Sequence, residues 1–203
     1  MPFGAHETME VHEILNEKIN LINHFSMYAE QAQSGQVRNL VERHLQIAIQ
    51  HYDQLVAYTH NYSAAGSAGA AGAGYGMNAG NQNNFRTEQV SYQDIQYGLR
   101  QPAQVTPQMK GRFSDQQILC SVLSFHKNSA KAHMAGALEC ADPNVRQMLI
   151  HGAVSCNDQA YETFMIMNQQ GQYQVPTMND HTAKTFLHTY QPMNTNPSMN
   201  SFQ

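Results

Sequence analysis

Charge is what this chain has least of. Only 13% of its 203 residues are Asp, Glu, Lys or Arg, and the formal net charge is -4. No basic stripe is available to neutralise phosphates, which argues against a nucleic-acid partner. Tryptophan is absent, and no apolar run approaches the roughly 18 to 20 residues that a membrane span needs. The N-terminus lacks a basic region followed by an apolar core, so no signal peptide is expected. The three cysteines, Cys120, Cys140 and Cys156, show neither C-x-x-C nor finger spacing. They read as small core or near-core residues made in a reducing compartment. G-x-S-x-G, P-loop, Rossmann glycine and HExxH patterns are all missing.

What fills the chain instead is Gln, Asn, Ala, Gly and Met, with ten Tyr. A weakly charged, amide-rich surface is poorly protected against self-association. It suits a component of an insoluble assembly better than a freely soluble enzyme.

The clearest local signals lie between Ser114 and Gly171. Ser114 with Gln117 forms a capping box, and Phe113 with Ile118 supplies the staple beside it. Leu119, Val122, His126, Ala130, His133 and Ala137 follow at helical spacing. Asp142-Pro143 closes this helix and opens the next, as N-cap and first helical residue. Val145, Met148, Leu149, Gly152, Cys156, Ala160, Phe164 and Met167 line its successor, which Gly171 ends. So short a connection requires two antiparallel helices.

The first part of the chain has the same plan. A helical pattern from Glu7 to Gln33 turns Val11, Ile14, Leu15, Ile19, Ile22, Phe25, Ala29 and Ala32 toward a core. Ser34-Gly35 breaks it, and a second helix through Val37, Leu40, Val41, His44, Leu45, Ala48, Tyr52, Leu55 and Val56 ends near Asn61. The two hairpins match at a constant offset. The run from Gln36 to Val41 reads against Asn144 to Leu149, identical or similar at every position, and Val11 pairs with Leu119, Ile14 with Val122, Ala48 with Cys156. A duplicated hairpin predicts an all-α four-helix bundle of two related halves.

Four segments follow from this reading: a first hairpin over 1–61, a linker and crossover over 62–113, a second hairpin over 114–171, and an extended tail with a short helix over 172–203. Ser63 to Gly80 is almost wholly Ala, Gly, Ser and Asn and reads as a flexible linker. Asn81 to Arg112 is expected to cross the bundle irregularly or partly extended. A long second-to-third connection distinguishes ferritin-like bundles from up-down ones, although linker length alone permits either topology. Asp180 to Tyr190 is the expected short helix, and the last dozen residues are expected to be disordered.

Tyr161-Glu162-Thr163-Phe164 and Gln172-Tyr173-Gln174-Val175-Pro176 resemble the CotF-type spore coat proteins of endospore-forming bacteria. Met9 to Leu15 and the Gln/Met-rich tail fit the same group. The resemblance covers both hairpins and the Tyr-Gln-Val-Pro segment, not the Ala/Gly linker. It implies a ferritin-like helical fold, synthesis in the cytoplasm of the sporulating cell and deposition in or near the spore coat. Other coat proteins or further copies of the chain would be its partners. It brings over no catalytic residues, so a non-enzymatic structural protein without a cofactor is expected.

The eleven histidines supply the rival reading, a ferritin-like protein that holds a transition metal in its core. Its candidate ligands are Glu17, His24, His44, His51, His126, His133, His151 and Asp158. Ferritin-like metal oxidases need Glu-x-x-His on two helices, and none occurs on the second or fourth helix here. The plain alternative is buried neutral imidazoles bonded to one another, to Tyr52 or to water. Ferritin topology would place His24 and His44 level with His126 and Asp158, and Glu17 and His51 level with His133 and His151. An up-down bundle would gather His24, His44, His133 and His151 in one layer. Either way His44 and His133 are expected to be buried, with two imidazoles in hydrogen-bond or water-bridge reach in at least one layer.

Overall fold

The computed structural model describes residues 4–65, 94–101 and 111–193. Among them are five helices and no strand: α1 (Ala5–Gln31), α2 (Gly35–Ala65), α3 (Asp115–Glu139), α4 (Pro143–Gln169) and α5 (Asp180–Leu187). None is long and apolar enough to cross a membrane. The second helix runs past the expected end at Asn61. Beyond its last residue, the Ala/Gly linker and residues 194–203 of the tail lie outside the described residues.

Local chemistry sets the helix ends. Ser114 Oγ accepts from Gln117 N at 3.3 Å while Ser114 N donates to Gln117 Oε1 at 2.9 Å, the reciprocal box that the sequence predicts. Asp142 Oδ1 accepts from Asn144 N and Val145 N, with Pro143 entering the helix at its first position. Gly171 takes φ of 71° and closes α4. Its N–H reaches Asn168 O, and the next N–H, from Gln172, reaches Met167 O, the paired bonds of a Schellman ending.

Polar contacts place the two hairpins relative to each other. Asp115, at the start of α3, accepts from Gln33 N and Ser34 N at 2.8 Å each, fastening the first turn there. At the opposite end Glu7 accepts from Asp142 N, and Tyr58 OH donates to the Asp142 carboxylate. The turn of each hairpin therefore meets the open end of the other. The chain must travel the length of the helices between α2 and α3.

Two apolar clusters fill the interior. Leu21, Phe25, Val37, Leu40, Ile118 and Leu119 are central to one, and Val11, Ile14, Leu55, Val145 and Leu149 to the other. On α1 the buried stripe is Val11, Ile14, Lys18, Leu21, Phe25 and Tyr28. Ile19, expected inside, is exposed, because the regular three- and four-residue steps from Val11 place Lys18 inward instead.

The described part of the crossover is irregular and lies against the C-terminal end of α4. Gly98 forms an isolated bridge with Val175, and Asn168 bonds both the N–H and the carbonyl of Gln96. The Tyr-Gln-Val-Pro segment is thus a docking strip for the crossover. Helix α5 forms where expected and buries no side chain.

Candidate functional site

Two polar layers cross the bundle between the apolar clusters. In the first, His44 from α2 and His126 from α3 are each 1% exposed, with His126 Nε2 3.0 Å from His44 Nδ1. His44 Nε2 lies 3.0 Å from Glu162 Oε2 on α4, and Arg43 pairs with the other carboxylate oxygen. The proton positions follow from what each group can do. An ionised carboxylate only accepts, so His44 Nε2 carries hydrogen; its Nδ1 is then an acceptor, and His126 Nε2 must donate to it. Glu162 is held below the usual carboxylate range despite its partial burial, because His44 and Arg43 surround it. Burial lowers His44, against the pull of Glu162, and lowers His126 well below the ordinary imidazole value. Both rings are neutral at physiological pH. The relay ends at His126 Nδ1, a buried acceptor without a partner among the described residues.

The second layer is arranged differently. His133, also 1% exposed, donates from Nδ1 to Ser129 O at 2.8 Å. Its Nε2 is therefore a bare lone pair, and it has no hydrogen-bond partner among the described residues. Lys18 is 5% exposed and makes neither an ion pair nor a hydrogen bond with any described residue. Glu17 beside it accepts instead from Ser129 Oγ at 2.5 Å. His133, Lys18 and the half-buried His51 line a cavity of about 70 Å³, whose mouth is formed by the exposed His151 and Gln54. Burial, then the charge of Lys18, brings His51 down to about 4 and His133 to about 3.

The second hairpin and the strip that follows it, residues 114–176, match the Coat F domain. That stretch is thus similar to the Coat F domain, over about a third of the chain. The chain also resembles the spore coat protein F-like protein YhcQ of Bacillus subtilis (strain 168), at 21% identity over 189 residues. That alignment covers 93% of this chain and 81% of the relative. No solved structure matches it.

Among the described residues His44 meets His126, and His51, His133 and His151 line one cavity, while two of the expected residues stand elsewhere. His24 is half-buried but leaves the first layer: its Nδ1 bonds Asn20 O on its own helix, and its ring lies against Phe125. Asp158 is exposed and bonds only Asn157, while Glu162, one turn on, takes the place assigned to it. Glu17, His51, His133 and His151 do fall at one level. His151 sits at the rim, bonded to Gln147. Among the described residues no three His, Cys, Asp or Glu side chains are grouped to hold a metal ion. The cysteines are free, and burial raises Cys140 and Cys156 to about 11, so they are inert thiols.

Inspection of the sequence for periodic apolar residues passes over Lys18, because a lysine on a helix reads as solvent-facing. The internal repeat carries the missing signal. The offset that pairs Val11 with Leu119 also pairs Lys18 with His126, a core position.

Proposed function

We propose that this chain is a non-catalytic structural component of the bacterial endospore coat, built as a ferritin-like four-helix bundle. The observation that carries this reading is the Coat F match, which coincides with a complete structural unit: α3, α4 and the strip that docks the crossover. The resemblance to the Bacillus subtilis spore coat protein F-like protein YhcQ supports it over nearly the whole chain. Synthesis in the cytoplasm of the sporulating cell and assembly with other coat proteins, or with further copies, belong to the same reading. Two features of the molecule support such assembly. The surface is poor in charge, and α5 with the residues after it presents Phe186, Leu187 and Tyr190 to solvent.

The metal-holding alternative has less support. Three of the four imidazole nitrogens in the first layer are spent on each other and on Glu162, and His133 spends one on a carbonyl. A fluorescent fusion followed through sporulation tests the proposal. A ring at the periphery of the developing spore is the expected result; fluorescence that stays diffuse in the surrounding cell would refute it.

A further inference from the structure

The cavity of the second layer stands where the first layer has its relay, and the repeat offset shows this residue by residue. Lys18 is the counterpart of His126, His133 of Phe25, and His151 of Arg43. Gly152 stands in the place of His44, and Gln54 in the place of Glu162. The second layer has therefore lost an imidazole and a carboxylate that the first layer retains. The lost imidazole accounts for the empty space. Gly152 offers no side chain, and the His133 ring has closed against its bare backbone, so that a Cβ there would lie 2.4 Å from His133 Cδ2. The rest of the volume is the cavity of about 70 Å³.

The lost carboxylate leaves a charge imbalance. In the first layer Glu162 answers Arg43 and the imidazoles. The second layer has Lys18 from α1, His51 from α2, His133 from α3 and His151 from α4, with no carboxylate among the residues that line the cavity. Glu17 on α1 is engaged by Ser129, Cys156 on α4 is a neutral thiol, and His126 on α3, which also feels Lys18, is a neutral imidazole. Among the described residues Lys18 is buried with neither an ion pair nor a hydrogen bond, and His133 Nε2 is a bare lone pair that can meet an anion only after taking up a proton. A buried cation without a counter-charge is costly, and a dissolved anion can supply what the sequence does not.

We propose that this cavity is a binding site for a small anion, with a short-chain carboxylate such as acetate taking the place of the missing Glu162 carboxylate. Its charged end would face Lys18 and the imidazoles, and its short apolar part Leu55, Met148 and Leu149. Bound anion favours the protonated imidazole, so His51 gains proton affinity on binding.

The test titrates the full chain with sodium acetate at pH 6, holding ionic strength with a bulky sulfonate salt, and follows the imidazole resonances by NMR. Saturable shifts at His51 and His133 are expected, with the His51 midpoint raised by about one pH unit at saturation. Lys18→Met keeps the side-chain length, removes the charge, and should weaken acetate at least about tenfold. Gln54→Glu, at the exposed mouth, restores the counterpart of Glu162; it should raise the His51 midpoint without acetate and abolish the acetate response. Absence of a saturable response in the native chain overturns the proposal, as does an undiminished response in either variant.

Discussion

Lys18 is the residue whose presence most needs a reason. It is buried on the regular core stripe of α1, and burial lowers its amine from the ordinary value, against the opposing influence of Cys156 and Glu17. Holding a cation there without an ion pair costs stability. Lys18→Met should therefore raise the unfolding free energy by roughly 1–3 kcal/mol in urea at pH 7 and in the absence of small anions. A variant less stable than the native chain would show that Lys18 has a stabilising partner. The sequence makes the neighbouring histidines easier to find than this lysine, because His126 and His133 fall within an apolar stripe while Lys18 interrupts one. Glu162 was one turn from the position inferred by counting residues down each helix. A count at a fixed rise ignores the stagger between packed helices, and one turn is enough to exchange Asp158 for Glu162.

At the scale of elements, the helix ends were the most legible feature, since caps are encoded within three or four residues. Ser114 with Gln117, Asp142 with Pro143, and Gly171 all act as the sequence predicts. The inner face of α1 was less legible. Ile19 and Leu21 are both strongly apolar, and only the packing of α2 and α3 against α1 decides that Leu21 is inside. Relative placement of the hairpins was not legible at all, because it rests on contacts between residues far apart in sequence, such as Asp115 with the first turn and Glu7 with the second. Residues 66–80 of the connection between α2 and α3 are mostly Ala and Gly and offer few large apolar side chains. Deleting residues 66–80 should change the unfolding free energy by less than about 1 kcal/mol, since loop-closure entropy varies slowly with length. A large fall in the denaturation midpoint would show that the segment is packed.

The whole molecule should be sensitive to acid, and the sign follows from its buried imidazoles. His51 and His133 have folded values of about 4 and about 3, against an unfolded value near 6.5. Between those limits the unfolded chain binds more protons, so stability rises with pH. It is fully present above about pH 6.5 and is lost as pH falls through the folded values, each imidazole contributing on the order of a few kcal/mol. His44 and His126 act in the same direction. Circular dichroism with urea at a series of pH values should show the midpoint falling steadily from pH 6.5 to 4. A midpoint unchanged over that range would mean that the imidazoles are already charged in the folded bundle.

The same molecular features, a helical fold with a charge-poor exterior and exposed Phe186 and Leu187 on α5, underlie the proposal that the protein is built into the coat. Separating purified mature spores into coat extract and core lysate, and quantifying peptides of this chain in each, tests that claim most directly. Coat deposition predicts that nearly all of the protein appears in the coat extract; recovery chiefly from the core lysate would contradict it.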